Sequence, residues 1–73
     1  MLSMVEIIFV ENLKMLMKEH SLNQVKLADA IGVSQSAISA WLSGKKEPSI
    51  TSLWLLADVF DTTIDVLVGR SMY

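Results

Sequence analysis

The sequence has no cysteine, one proline and three glycines among its 73 residues. Without cysteine, neither a disulfide framework nor a thiolate metal site can form. Long apolar runs are also missing, since the longest, residues 53–57, is far shorter than the roughly 20 residues that span a bilayer. The apolar stretch 1–10 lacks the basic start of a signal peptide and is interrupted by Glu6, so we expect a cytoplasmic protein.

Basic residues are few, and the net charge is -2 with a sequence pI near 5.1. An acidic chain is the reverse of what a nucleic-acid-binding surface needs. The charge is unevenly distributed, however. Segment 22–46 has three lysines and one aspartate, a net charge of +2, which leaves -4 for the rest of the chain. The single histidine and the lack of any His, Cys or carboxylate cluster predict neither an enzyme nor a metal or cofactor site.

Residues 23–48 have the pattern of two short amphipathic helices joined by a glycine turn. Asn23 and Ser34 suit the N-caps of these helices, because their side chains can accept a hydrogen bond from a free backbone N–H. Gly32 and Gly44 suit the helix ends, where glycine adopts a left-handed conformation without steric cost. Helical spacing predicts a shared apolar face made of Leu27, Ala28, Ile31, Ala37, Ile38, Trp41 and Leu42.

The opposite face of the second helix carries neither charge nor bulk: Gln35, Ser36, Ser39, Ala40 and Ser43. Such a face, with Lys45 and Lys46 just beyond the helix end, suits insertion into the major groove of DNA. On spacing alone, two helices around one glycine could also form an ordinary helical hairpin. The two lysines could likewise be solvated loop charges.

Over residues 9–69 the sequence resembles the helix-turn-helix domain of the phage repressor and Cro-like family, also called the Xre family. The matching residues are Leu22-Asn23-Gln24, Leu27-Ala28, Gly32-Val33-Ser34, Ile38-Ser39-Ala40-Trp41, Gly44-Lys45-Lys46-Glu47-Pro48-Ser49 and Ile64-Asp65-Val66-Leu67-Val68-Gly69. The resemblance implies an all-α, compact five-helix lambda-repressor-like domain that binds double-stranded DNA and regulates transcription, as a repressor. It divides the chain into an apolar N-terminal extension of helix one, 1–8, the Cro/C1-type domain, 9–69, and a C-terminal tail, 70–73.

The helical pattern predicts three further helices besides the pair in residues 23–48. Helix one should cover about residues 4–20, helix four should follow Ser49, and helix five should be a short turn after Thr63. Asp61 takes the left-handed position where the family usually has glycine. The residues predicted to face inward are Phe9, Leu13, Leu16, Met17, Ile50, Leu53, Leu56, Ala57, Phe60, Ile64 and Leu67.

The resemblance also implies which side chains would contact DNA. Base contacts are expected from the start and outer face of helix three: Gln35, Ser36, Ser39 and Ala40. Backbone contacts are expected from Gln24, Ser34, Ser43, Lys45 and Lys46. Ala40 departs from the family, which often has a long polar side chain there. Gln35 and Ser36 therefore remain as the main readers of base edges.

The apolar content, 52% with a mean hydropathy of +0.47, is more than a 73-residue core can absorb. Exposed apolar surface commonly marks an interface, so we expect a homodimer formed through Trp54, Leu55, Val66 and Val68. The alternative is an antitoxin or other protein-interaction module with the same fold, whose toxin partner would bind this patch or residues 1–8. Neither a membrane nor a small-molecule substrate is expected as a partner.

Overall fold

The computed structural model describes residues 2–71, and within that range it has five α-helices and no strand. The helices are α1 (Met4–Glu19), α2 (Gln24–Ile31), α3 (Gln35–Leu42), α4 (Ile50–Val59) and α5 (Ile64–Leu67). The predicted all-α architecture is confirmed over these residues. The predicted start of α1 is confirmed, and its end is within one residue of the prediction.

Each helix begins after a serine, threonine or asparagine whose side-chain oxygen accepts a hydrogen bond from the backbone N–H three residues later. These bonds stabilise each helix start by about 1 kcal/mol, because they satisfy a donor that has no partner inside the helix. The caps predicted at Asn23 and Ser34 are confirmed, and so are the predicted helix starts after Ser49 and Thr63, which cap α4 and α5. The cap of α1, Ser3, was not predicted.

The core lies between the inner faces of the five helices. It contains Phe9, Val10, Leu13, Leu16, Met17, Leu27, Ala28, Ile31, Ile38, Trp41, Leu56, Ala57, Phe60 and Leu67. With the exception of Val10, these residues were all predicted to face inward. Ala37, Leu42, Leu53 and Ile64, also predicted to face inward, are half-buried against this core.

Ile50 was predicted to face the core, and this prediction is wrong, because its side chain is 81% exposed. Ile50 is the first residue of α4, so it lies beyond the part of the helix that packs on the core. The buried position in this turn belongs to Ser52, whose Oγ accepts from the Ser49 hydroxyl and whose backbone N–H donates to Ser49 Oγ, both at 3.1 Å. Spacing identified the correct helix face but not how far the core extends along it.

Three backbone positions in the helix connections confirm predicted left-handed conformations. Gly32 has φ 73°, Gly44 has φ 75° and Asp61 has φ 52°. Ser21 also has a positive φ, 55°, which was not predicted. These sharp reversals keep the connections short and set the directions of α2, α3 and α5.

Candidate nucleic-acid interface

The corner between α2 and α3 is held by hydrogen bonds to one carbonyl. Gly32 N–H and Val33 N–H both bond to the Ala28 carbonyl, at 2.9 and 3.1 Å. Ser34 then caps α3 by accepting from Ala37 N–H at 3.1 Å. The orientation of α3 relative to α2 is therefore fixed by backbone geometry as well as by apolar packing.

The two faces of α3 differ sharply in burial. Ile38 is fully buried and Trp41 is only 5% exposed, which confirms Trp41 as a core residue. On the other face Gln35, Ser36 and Ser39 are exposed. Among residues 2–71 the Gln35 amide has no hydrogen-bond partner, so its donor and acceptor are both available to a ligand.

Ala40 and Ser43 are less open than the sequence suggested. Ala40 is half-buried, so only part of its methyl group faces solvent. The exposed Ser43 hydroxyl donates to the Ala40 carbonyl at 3.2 Å. It must rotate away from this carbonyl to donate to a phosphate. Ser34 differs, because its oxygen accepts the capping bond and leaves the hydroxyl hydrogen available.

The loop after α3 carries the two lysines in a defined position. Lys45 N–H and Lys46 N–H both bond to the Ala40 carbonyl, at 2.9 and 3.3 Å, after the chain reverses at Gly44. Both lysine side chains are exposed. The one ion pair among residues 2–71 joins Lys14 and Glu11 on the surface of α1, so neither loop lysine is neutralised by a carboxylate.

The remaining predicted DNA-contacting residue, Gln24, is half-buried at the first position of α2. The nine predicted DNA-contacting residues thus lie on one continuous stretch of chain, 24–46, that contains α2, α3 and the two lysines after α3.

The predicted dimer residues lie elsewhere, on α4 and at the end of α5. Trp54 is 63% exposed, whereas Leu55, Val66 and Val68 are half-buried. Leu55 packs partly on the core, and Val68 lines a crevice beside α1. Trp54 is therefore the one large apolar side chain of the four that is mainly open to solvent.

Sequence analysis missed the role of Asn12. Its Nδ2 donates to the carbonyls of Val66 and Leu67, at 2.9 and 3.2 Å, and so ties α1 to α5. The available signal was a polar residue between the inward-facing Phe9 and Leu16 of α1. Its partners are 54 and 55 residues away, and no local pattern identifies them.

Residues 2–71 contain neither a cluster of metal-binding side chains nor a membrane-spanning helix. In this range no three His, Asp or Glu side chains come together in a group able to hold a metal ion. None of the helices described has the length and apolar content required to cross a membrane.

Comparisons with known proteins agree with this geometry. Residues 13–67 match the family described as Helix-turn-helix. The HTH-type transcriptional regulator AnsR of Bacillus subtilis is 46% identical over 43 residues, covering 59% of this chain and 37% of AnsR. The HTH-type transcriptional activator BcrR of Enterococcus faecalis is 42% identical over 61 residues, covering 84% of this chain and 30% of BcrR.

A solved structure is similar as well. The crystal structure of a transcriptional regulator from Listeria innocua superposes with a TM-score of 0.78 at 39% identity, covering 84% of this chain and 57% of that one. The chain thus spans less than two thirds of the length of each of these relatives.

Proposed function

The chain belongs to the helix-turn-helix family, and from this premise we propose that it is a cytoplasmic, sequence-specific DNA-binding regulator of transcription. The observation that carries the proposal is the exposed, uncharged face of α3. Ile38 and Trp41 bury the opposite side of α3 in the core, and α3 is followed by Lys45 and Lys46, neither of which forms an ion pair within residues 2–71. The names of the relatives, which describe transcriptional regulators, support the same conclusion.

In the proposed mechanism α3 lies in the major groove, which is about 12 Å wide and admits an α-helix. The free Gln35 amide would donate a hydrogen bond to a purine N7 or accept one from an exocyclic amine. Adenine has both an N7 acceptor and an exocyclic amine on its major-groove edge. Ser36 and Ser39 would hydrogen-bond to neighbouring base edges. The Ala40 methyl would contact a thymine methyl group.

The residues around α3 would hold the DNA backbone. Lys45 and Lys46 would neutralise phosphates, which supplies the sequence-independent part of the affinity. Gln24, Ser34 and Ser43 would add hydrogen bonds that fix the register of α3 in the groove. With so few cations, one copy of the domain would bind weakly.

A homodimer would double these contacts. We propose an isologous contact through α4 and α5, with Trp54, Leu55, Val66 and Val68 in the interface. The domain measures 27 × 27 × 22 Å, so two copies side by side can place their α3 helices about 34 Å apart, one turn of B-DNA. The operator would then be a short inverted repeat.

We further propose that binding represses transcription. Occupying a promoter requires only the DNA contacts described above, whereas activation requires an additional contact with the polymerase. Because one similar protein is named an activator, a reporter gene with the binding site placed over its promoter decides the direction.

Selection of binding sites from random duplex DNA by the purified protein tests the proposal. We expect a single enriched motif, arranged as an inverted repeat with half-site centres about 10 base pairs apart. Recovery of random sequence after repeated rounds at physiological salt would contradict sequence-specific binding.

A further inference from the structure

We propose that the segment preceding the helix-turn-helix domain, residues 2–8, positions the lysine loop for DNA, with Leu2 as the positioning residue. The lysine loop here means residues 44–48, between α3 and α4. This inference rests on the proposed function, since it concerns the contacts that Lys45 and Lys46 make with phosphates. It assigns a role to a part of the chain outside the matched region 13–67.

The first observation is the contact between Leu2 and Gly44. A methyl group built on Gly44 would lie 2.7 Å from Leu2 Cδ1 and 3.0 Å from Cδ2. The leucine side chain is therefore packed on the side of Gly44 where any other residue would carry its Cβ. Leu2 is 37% exposed, so most of its surface is covered although it lies almost at the start of the chain.

The second observation is that the beginning of α1 runs alongside the lysine loop. The two segments enclose a crevice of about 90 Å³ between Val5, Glu6 and Phe9 on one side and Lys46, Glu47 and Pro48 on the other. The loop is thus supported from two directions. Its backbone is bonded to the Ala40 carbonyl at the end of α3, and Leu2 closes over it from the α1 side.

The third observation is that residues 2–8 are themselves fixed. Ser3 caps α1 by accepting from Glu6 N–H at 3.2 Å, which defines the backbone next to Leu2. At the other end of the segment, Ile8 packs on Gly69 so closely that a methyl group there would collide with Ile8 Cγ2. A segment held at both ends can hold the loop in turn.

The physical role of Leu2 is to order the loop before DNA arrives. If Leu2 is truncated, the loop and its lysines must be ordered when they bind phosphate, and this ordering costs affinity. Immobilising one or two side chains on binding usually lowers the affinity about three- to tenfold. Because phosphates carry no sequence information, the loss should be the same on all DNA.

A simpler role for Leu2 would be to stabilise the start of α1. Leu2 precedes the N-cap, and a hydrophobic residue there often packs on the fourth residue of the helix, which here is Ile7. Ile7→Ala removes that pairing and leaves the Leu2–Gly44 contact intact, so it is the matched control.

The experiment measures binding of the full chain to its selected duplex and to a random duplex. The variants are Leu2→Ala, Leu2→Met, Ile7→Ala, the double variant Lys45→Ala/Lys46→Ala, and the triple variant that adds Leu2→Ala to it. We expect Leu2→Ala to bind both duplexes three- to tenfold more weakly, with an unchanged ratio between the two affinities. Leu2→Met and Ile7→Ala should bind like the original protein.

In the triple variant, Leu2→Ala should cause no further loss of affinity, because the lysines that Leu2 positions are absent. Circular dichroism should show equal helix content for Leu2→Ala and Ile7→Ala.

Three outcomes would overturn the inference: normal binding by Leu2→Ala, an equal loss in Ile7→Ala, or an undiminished effect of Leu2→Ala in the triple variant. The proposed function fails separately, if the original protein binds the random duplex as tightly as the selected one. If Lys45→Ala/Lys46→Ala binds both duplexes as tightly as the original protein, the lysine loop does not contact phosphates at all.

Discussion

Asn12 is the side chain whose removal has the most specific structural consequence. Its amide donates to the carbonyls of Val66 and Leu67 at the end of α5, and the Val66 carbonyl also accepts from Gly69 N–H at 3.2 Å. We expect Asn12→Ala to lower the free energy of unfolding by about 1–3 kcal/mol, because the Leu67 carbonyl loses its side-chain donor and the Val66 carbonyl keeps only backbone donors such as Gly69 N–H. Urea denaturation measures this change.

The variant Asn12→Asp serves as its control. Aspartate has nearly the same size, but its carboxylate cannot donate to a carbonyl. Asn12→Asp should therefore be at least as destabilising as Asn12→Ala. An Asn12→Ala protein within 0.5 kcal/mol of the original would show that the amide contributes nothing to the packing of α1 on α5.

Individual residues were predictable where their role depends on near neighbours in sequence. Gly32 and Ser34 belong to a local turn and cap, and the sequence identified both correctly. The prediction for Ile50 was wrong, and the contacts of Asn12 and Leu2 were not predicted. The environments of these three residues depend on where a helix meets a distant part of the chain. The exposed, uncharged face of α3 was predictable, but the packing of Leu2 on Gly44 was not.

At the scale of helices, the number, order and approximate bounds of all five were predictable from the sequence. The reason is that apolar spacing and capping residues agree with one another along the chain. What the sequence could not supply is the extent of each buried face. On α4 the core is formed by Leu56, Ala57 and the following Phe60, whereas Ile50 at the first position of the helix and Trp54 one turn later are exposed.

The outer face of α4 provides a test of the dimer. We expect the protein to sediment as a dimer at micromolar concentration, and Trp54→Ala to weaken this dimer because the largest exposed apolar side chain of the proposed interface is lost. Met15→Ala is the control, since it removes an exposed apolar side chain on α1, outside that interface. A chain that remains monomeric both alone and on its DNA site would contradict the dimer.

At the scale of the whole molecule, charge is separated along the chain. Residues 22–46 carry a net +2, whereas residues 50–69 contain Asp58, Asp61 and Asp65 and no lysine or arginine. The electrostatic field therefore favours approach to DNA with α2, α3 and the lysine loop leading. An acidic net charge is thus compatible with DNA binding, because the cations are concentrated where the phosphates would lie.

We propose that α3 reads base edges, and this is decided by comparing the affinities of Gln35→Ala and Gln24→Ala for the selected duplex and a random duplex at one salt concentration. The two variants remove the same side chain, once from the proposed base-reading position and once from a proposed backbone-contacting position. We expect Gln35→Ala to lose about 1–3 kcal/mol on the selected duplex and almost nothing on random DNA. Gln24→Ala should weaken both duplexes alike. Equal losses on the two duplexes for Gln35→Ala would contradict the claim that α3 reads the sequence.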